Sequence, residues 1–338
     1  MKGPLRLIGW ACLAVGTVLA LASTAGWWLY HEATGTGPLR EARTVVIPPH
    51  TGLAGIARRL ASEGVVRHAL PFEISAMLLD HVSGLQAGEY EFPAGTSPLQ
   101  AAEIIASGKT VRHKLTIPEG LTTAEIMALV KTAPALAGNI GPPPPEGSLM
   151  PDTYIYHWGE QRRQLVARME HEMAHTLAAV WDKRGADLPL ANPEQLVTLA
   201  SLVEREAKHA DERAEIAAVF INRLRLGMRL ECDPTVIYAL SDDGTKKVDR
   251  PLTRTDLQTP SPYNTYIEKG LPPGPIDNPG LASLRAAARP AQTDDLYFVA
   301  DGNGGHIFAK TFAEHNRNVE QYRRNALVEP DSPAGAGR

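Results

Sequence analysis

The sequence predicts an α+β protein with a single N-terminal transmembrane helix, a small α+β domain, and a larger domain of helices and one β-hairpin. Three observations carry this prediction. A long uncharged stretch opens the chain, short strand–turn–helix units follow it, and the second half combines helical periodicity with one strong hairpin signal. The 338 residues are enough for two domains of ordinary size.

The uncharged stretch covers residues 7–30. It is longer than the roughly 20 residues that a helix needs to cross a bilayer. Lys2 and Arg6 precede it, so the positive-inside tendency places residues 1–6 in the cytoplasm and the rest of the chain outside. The competing interpretation is a cleaved signal peptide, whose apolar region is usually only about 7 to 15 residues long. The length therefore favours a retained, single-pass anchor.

The small domain is predicted over residues 44–113, after a short polar linker at 31–43. Its first unit is a β-rich run at 44–47 followed by apolar residues at helical spacing. Its second unit has Thr96 or Ser97 as the cap of a helix that begins with proline. Two such units bury enough surface only by packing together. They resemble the LysM-like module with which many cell-wall proteins hold glycan strands, and a purely architectural spacer is the alternative.

The larger domain is predicted over residues 114–326, and a disordered tail over 327–338. The Pro- and Gly-rich stretch 263–280 is predicted to be a loop, and long loops in compact domains are usually functional. The predicted elements are a strand at 114–117, helices at 121–130, 159–184, 193–206, 216–224, 234–240, 281–288 and 312–326, and a hairpin of 296–300 with 306–308.

The composition excludes several classes of function. The net charge of -4 gives no basic face for nucleic acid. Two cysteines imply no disulfide framework. The histidines show no metal-ligand spacing, and the sequence has no phosphate-binding loop. We therefore expect no metal, no cofactor and no nucleic-acid partner.

The stretch 199–240 is the candidate for chemistry, because Glu204 lies at the edge of an apolar helix face. Desolvation disfavours the ionised form of such a carboxyl group and makes it a usable general acid. The alternative is a solvated charge paired with Lys208 one turn later. Glu206 is the rival acid, but a helix turns by about 200° over two residues, so the two glutamates cannot face one pocket.

Several motifs follow one another in the larger domain. They are LASLVERE at 199–206, VFINRL at 219–224, DPTVIY at 233–238, YNTY at 263–266, GLPPGPI at 270–276 and YFVA at 297–300, with EG at 146–147 and PDTY at 151–154 upstream. In this order they resemble the motifs of the endolytic murein transglycosylases, the YceG-like family. The resemblance extends over about residues 45–325 and includes the N-terminal anchor.

The resemblance implies a lytic transglycosylase that cleaves peptidoglycan between MurNAc and GlcNAc without water. It implies 1,6-anhydroMurNAc ends and a limit on the elongation of nascent strands. The family's catalytic glutamate falls on Glu204, which would protonate the glycosidic oxygen and then accept the proton of the C6 hydroxyl. The implied partners are glycan strands, the membrane and peptidoglycan polymerases. The implied location is the inner (plasma) membrane, with the catalytic domain periplasmic or extracytoplasmic.

Five further residues are candidates for substrate binding. Asn222 is placed to bind sugar or to hold the glutamate, and alternatively satisfies a neighbouring backbone group. Tyr263, Asn264, Thr265 and Tyr266 are candidates for the wall of a glycan groove. The alternative for these four is a loop anchored by packed tyrosines.

Two other functions remain open at this point. The first is a non-catalytic glycan-binding or scaffolding protein of the cell-wall synthesis machinery, in which Glu204 is only an ion-pair partner. The second is a cytosolic pyridoxal-phosphate lyase, which requires a Schiff-base lysine and a soluble location. The predicted anchor argues against the lyase, and no lysine lies in a distinctive motif.

Overall fold

The computed structural model describes residues 3–79, 84–242 and 244–328, and its mixed α+β character confirms the predicted class. Contacts divide the chain into two compact units. The N-terminal unit runs to His113 and includes Ala135–Ala137 and Ile155–Glu160, and the C-terminal unit comprises Lys114–Pro134, Gly138–Tyr154 and the chain from Gln161 onward.

The N-terminal stretch forms one helix, α1 (Gly3–Thr34). Its part Gly9–Thr34 is long and apolar enough to cross a membrane. The helix extends four residues past the predicted end at residue 30, because nothing in the sequence before Gly35 breaks it. Of the predicted cytoplasmic segment 1–6, residues 1 and 2 lie outside the described residues.

The remainder of the N-terminal unit packs three helices against a two-stranded antiparallel sheet. Its fully buried side chains include Tyr90 and Phe92 from the sheet and Phe72 from a helix. Ser97 rather than Thr96 caps the third helix, since its Oγ accepts the Gln100 N–H at 3.2 Å. The elements are β1 (Arg43–Ile47), α2 (Leu53–Ser62), α3 (Ala69–Leu78), β2 (Gly88–Phe92) and α4 (Pro98–Ala106).

Helix α3 is absent from the sequence prediction. Its apolar residues lie on all sides, with Phe72 buried and Leu70, Met77 and Leu78 exposed. Such a segment lacks the one-sided periodicity by which a helix is recognised.

The C-terminal unit is mostly helical. Elsewhere in the chain, β3 (His113–Thr116) pairs with β4 (Thr153–Tyr156) in a small sheet. The predicted hairpin of the C-terminal unit is confirmed as β5 (Tyr297–Ala300) with β6 (His306–Ala309). Its helices are α5 (Thr123–Thr132), α6 (Arg162–Asp182), α7 (Pro193–Glu206), α8 (Arg213–Arg225), α9 (Asp233–Leu240), α10 (Leu281–Ala288) and α11 (Phe312–Val328).

Helix α7 is the central element of this unit. It contacts α6, α8, α9 and α10. Every residue from Leu196 to Val203 is buried, so the helix is enclosed on all sides rather than on the one face that the sequence suggests. Ser201 is satisfied inside this core, because it donates to the Thr198 carbonyl at 2.8 Å and accepts the Ile276 N–H at 3.1 Å. The core therefore fixes the direction in which the last turn of α7 points.

The Pro- and Gly-rich stretch 263–280 contains no helix or strand, as predicted. It is nevertheless ordered by hydrogen bonds to the elements around it. The predicted tail at 327–338 begins within the last turn of α11, and its residues 329–338 lie outside the described residues.

Candidate active site

Glu204 lies in the last turn of α7, where the enclosed helix reaches a polar region, and its side chain is only 7% exposed. Its Oε1 lies 3.4 Å from Nη2 of Arg213, at the start of α8. Its Oε2 accepts the backbone N–H of Gly280 at 3.0 Å. Gly280 is the cap of α10, so the carboxyl group sits at the positive end of a helix as well as beside a cation. Among the residues that the structure describes, Glu204 pairs with Arg213 and not with Lys208.

Glu119 is a second carboxylate beside the same arginine. Its Oε2 lies 3.9 Å from Nη2 of Arg213, and its side chain is 44% exposed. Partial burial and the negative charge of Glu204 raise the pKa of Glu119, while Arg213 opposes this shift. The neutral form of Glu119 is therefore favoured more than in an ordinary exposed glutamate. Sequence reasoning found no carboxylate pair because Glu119 precedes α5, far from Glu204 along the chain.

The turn that carries Glu119 is fixed to the end of α7. Gly120 has φ +75°, a left-handed conformation that favours glycine, and a Cβ there would lie 3.5 Å from Cγ of Glu204. Its N–H donates to the Asn278 carbonyl at 3.1 Å, and its own carbonyl accepts from Arg205 Nη1 at 3.1 Å. The Pro-Glu-Gly sequence after β3 indicates a turn here, but it carries no signal of the contact between Glu119 and Arg213.

Asn278 joins three distant segments behind the site and is fully buried. Its Nδ2 donates to the Leu121 carbonyl at 3.0 Å, to Thr123 Oγ1 at 3.2 Å and to Glu146 Oε1 at 2.9 Å. Its Oδ1 accepts the Leu149 N–H at 2.8 Å. The end of the 263–280 loop is therefore held in place by an amide side chain with all of its polar atoms engaged.

Asp277 is a buried acid next to this group. It is fully buried, and neither carboxyl oxygen has a hydrogen-bond partner among the described residues. Burial raises the pKa of Asp277 well above its ordinary value, the positive charge of Arg205 opposes the shift, and the negative charge of Glu204 adds to it. Its Oδ2 and the Glu204 side chain both approach the same side of Gly120. Asp277 therefore favours the neutral, protonated form.

Glu206 points into different surroundings, as helical geometry predicts. Its Oε1 accepts from the Sγ of buried Cys232 at 3.2 Å. Burial raises the pKa of Glu206, and the thiol hydrogen bond only partly opposes this. Glu204 and Glu206 share no hydrogen-bond partner among the described residues.

Asn222 forms hydrogen bonds with backbone carbonyls, as in the alternative interpretation of this residue. Its Nδ2 donates to the carbonyls of Thr293 at 2.8 Å and Asp295 at 3.1 Å. These bonds hold the segment that leads into β5. Its predicted contact with substrate stays a prediction.

Two of the four predicted groove residues lie in the interior. Asn264 is fully buried and donates to the carbonyls of Leu257 at 3.1 Å and Thr259 at 2.9 Å. Thr265 is 1% exposed, and its Oγ1 accepts the Cys232 N–H at 2.9 Å. Both side chains shape the loop from within.

The two tyrosines of this motif lie nearer the surface. The Tyr266 hydroxyl donates to Asp233 Oδ1 at 2.6 Å, and burial raises the pKa of Tyr266. The Tyr263 ring lies 4.9 Å from that of Tyr238, centroid to centroid. Sugar binding by either tyrosine stays a prediction. In the ranges 3–79, 84–242 and 244–328, no group of three or more His, Cys, Asp or Glu side chains is arranged to hold a metal ion.

Comparison with known proteins tests the family resemblance. The YceG-like family matches residues 45–321. The endolytic murein transglycosylase of Bacillus subtilis (strain 168) is 31% identical over 332 aligned positions, covering 88% of this chain and 90% of that protein. The endolytic murein transglycosylase of Streptococcus pneumoniae (strain D39) is 27% identical, covering 91% of this chain and 64% of that longer protein.

A solved structure is also similar. The crystal structure of a YceG-like protein from Listeria monocytogenes shares 32% identity with this chain and a TM-score of 0.53, covering 82% of this chain and 99% of that one. The family match extends over most of the chain, and the motifs around Glu204 fall within it. The chain therefore belongs to the YceG-like family.

Proposed function

We propose that the protein is a lytic transglycosylase that cleaves the MurNAc–GlcNAc bond of nascent peptidoglycan and leaves 1,6-anhydroMurNAc ends. Membership of the YceG-like family and relatives named endolytic murein transglycosylase support this reaction class. The observation that carries the assignment of the catalytic carboxyl group is the position of Glu204, which is nearly buried and has one cation and one backbone N–H as partners.

In the first step, Glu204 in its acid form donates a proton to the glycosidic oxygen. The bond between C1 of MurNAc and that oxygen breaks, and the N-acetyl group of the substrate stabilises the positive charge at C1. In the second step, the C6 hydroxyl of the same sugar attacks C1 and gives its proton to the Glu204 carboxylate. The glutamate returns to its acid form and no water is consumed, so one carboxyl group suffices.

Arg213 and the Gly280 N–H support the carboxylate that exists between the two steps. They lie 3.4 and 3.0 Å from its two oxygens. Arg213 is itself held by a hydrogen bond from Nε to Ser283 Oγ at 3.1 Å, so it needs little reorganisation during the reaction. Partial burial and the negative charge of Glu204 raise the pKa of Glu119, so this carboxyl group beside the reacting pair holds its proton to higher pH than an ordinary glutamate does.

The remaining predicted site residues act around this centre. We assign Tyr263 and Tyr266 to the groove wall, because they lie nearer the surface than the rest of their motif. Asn222, Asn264 and Thr265 act on the substrate through the loops that they hold.

The protein is proposed to be anchored in the membrane with its catalytic domain outside the cytoplasm. Residues 7–30 anchor the protein in the inner (plasma) membrane, residues 1–6 face the cytoplasm, and the catalytic domain at 114–326 faces the other side, supported by apolar length and by Lys2 and Arg6. Residues 44–113 form a LysM-like module that holds the strand. Cleavage beside the peptidoglycan polymerases limits strand elongation.

The test is digestion of uncrosslinked glycan strands by the full-length protein in detergent, in water enriched in oxygen-18, followed by mass spectrometry. We expect anhydro-ended fragments without the heavy isotope, and none from the Glu204→Gln variant. Absence of anhydro ends with the wild type would leave the scaffolding function, and heavy-oxygen ends would indicate a hydrolase. Equal cleavage by Glu204→Gln would remove Glu204 from the catalytic role.

A further inference from the structure

A pocket of about 610 Å³ opens in the C-terminal unit between α6, α10 and the start of α8. Its apolar surface is made largely of alanines from all three elements, such as Ala179, Ala214 and Ala286. Small side chains at these positions leave the space open. The volume falls within the roughly 300–1,000 Å³ that small-ligand sites occupy.

The charged lining of this pocket is entirely basic. Lys183, Arg213, Arg285, Arg289 and His175 line it, and no Asp or Glu does. In the part of the chain that the structure describes, Lys183, Arg285 and Arg289 form no ion pair. A concave surface whose positive charges have no ion-pair partners concentrates anions from solution. The pocket is therefore suited to a ligand with more than one negative group.

The positions of the basic side chains are fixed by contacts between α6 and α10. Arg289 Nε donates to the Lys183 carbonyl at 2.6 Å, which ties the end of α10 to the end of α6. Arg285 lies one helical turn earlier on α10, and both arginines line the pocket. Arginine presents a planar fork that binds carboxylates through two hydrogen bonds.

The pocket adjoins the candidate active site at two points. Arg213 lines the pocket and lies 3.4 Å from Glu204. Leu281 and Ala282 line the pocket too, and they follow Gly280, whose N–H binds the other Glu204 oxygen. The pocket therefore lies next to the place where the proposed reaction puts the reacting bond.

We infer that this pocket binds the carboxylates of the stem peptide carried by the MurNAc residue that is cleaved. The inference rests on the proposed function, which places that sugar at Glu204. The stem peptide is attached through the lactyl group of MurNAc and carries several carboxylates, so it supplies the multiple negative charges that the lining matches. The pocket thus selects strands that still carry their peptides.

The test compares two substrates: uncrosslinked strands with stem peptides, and the same strands stripped of peptides by an amidase. The full-length protein is assayed for kcat/KM on both, alongside the double variant Lys183→Gln/Arg285→Gln. We expect the double variant to lose roughly tenfold or more on peptide-bearing strands, as when charge-assisted hydrogen bonds are removed, and to match the wild type on stripped strands. Arg163→Gln, an exposed arginine in the first turn of α6, is the matched control and should leave both rates unchanged.

A second measurement separates this inference from the proposed function. An N-acetylmuramoyl peptide is titrated into the full-length protein by calorimetry, against the same peptide with its carboxylates converted to amides. Binding of the acidic form alone, lost in Lys183→Gln/Arg285→Gln, would support the pocket even if no anhydro ends were found. The inference would be overturned if the double variant cleaved peptide-bearing strands as fast as the wild type, or if it lost activity equally on both substrates. It would also be overturned if the wild type bound the amidated peptide as well as the acidic one.

Discussion

Glu204 and Glu206 stand two residues apart in the last turn of α7, and their surroundings differ completely. Glu204 meets a guanidinium and a helix N-terminus, Arg213 and the Gly280 N–H. Glu206 meets the buried thiol of Cys232, which is a weak donor without charge. The difference shows that the helix determines only the direction in which each side chain points. The chemistry of each carboxyl group comes from segments that arrive from elsewhere in the chain.

The same substitution at both positions tests whether the two glutamates have separate roles. Glu204→Gln should lower kcat/KM on glycan strands by about 10²–10⁴-fold, the usual contribution of a general acid–base. Glu206→Gln should change it less than about threefold, because its partner is structural and general acid–base effects are far larger. Anhydro products quantified by mass spectrometry give both rates. Similar losses in the two variants would contradict the separation of their roles.

Arg213 is the charged group that distinguishes the Glu204 side. Arg213→Gln should lower kcat/KM by roughly tenfold or more, because a charge-assisted contact to the carboxylate is lost. Its loss should also raise the pKa of Glu119 further, since Arg213 opposes the existing rise. The proposed role of Glu119 needs its proton, and such activity is lost as pH rises through the pKa, so the alkaline limb of the pH–rate profile should move to higher pH.

Arg213→Lys is the control, since it keeps the charge and should recover part of both effects. A pH profile identical to that of the wild type in Arg213→Gln would show that this cation does not tune the site.

The buried acids Glu206 and Asp277 should also make the stability of the protein depend on pH. Burial raises the pKa of Glu206 and of Asp277 in the folded state, so the folded protein binds more protons than the unfolded chain. The unfolding free energy should therefore fall as pH rises from about 4 through the raised pKa, by up to about 1.4 kcal/mol per pH unit for each proton. Glu206→Gln and Asp277→Asn should each flatten this decline in urea unfolding. A stability that rises with pH in the wild type over this range would contradict the assignment.

The smallest effect is expected at Cys232. Burial and then the neighbouring Glu206 charge raise the pKa of its thiol well above the ordinary value, which disfavours the nucleophilic thiolate. Cys232→Ala should cost about 1 kcal/mol of stability, the typical size for a point substitution, and leave kcat/KM unchanged. A loss of cleavage comparable to that of Glu204→Gln would mean that the Glu206 side takes part in the reaction.

The parts of the fold that the sequence predicts correctly are those with local signals. Asn192 followed by proline marks the start of α7, and its Oδ1 accepts the Gln195 N–H at 2.9 Å. The Asp-Gly-Asn-Gly-Gly turn marks the hairpin of β5 and β6. Helix α3 was missed because its apolar residues show no single face, and β4 because four residues after a turn are too short to show alternation.

The candidate site depends even more on contacts between distant segments, which local sequence signals do not reveal. Glu204 is visible in the sequence through its motif, but its partners Glu119, Arg213 and Gly280 come from three other segments. Nothing local in a Pro-Glu-Gly turn indicates that its carboxylate will meet an arginine at the start of α8. Asp277 reads as an ordinary polar residue in a loop, and only the packing around it makes it a buried acid.

The junction between α1 and the rest of the N-terminal unit has a consequence for where this protein acts. Glu32 lies 3.8 Å from Arg67, and Gly37 and Leu39 are hydrogen-bonded to Gly95 at 3.0 and 2.9 Å. These contacts tie the segment that follows α1 to the rest of the N-terminal unit. Under the proposed anchoring of α1 in the bilayer, they would hold this unit close to the lipid headgroups. The proposed cleavage would then act on glycan near the membrane rather than on older wall farther out.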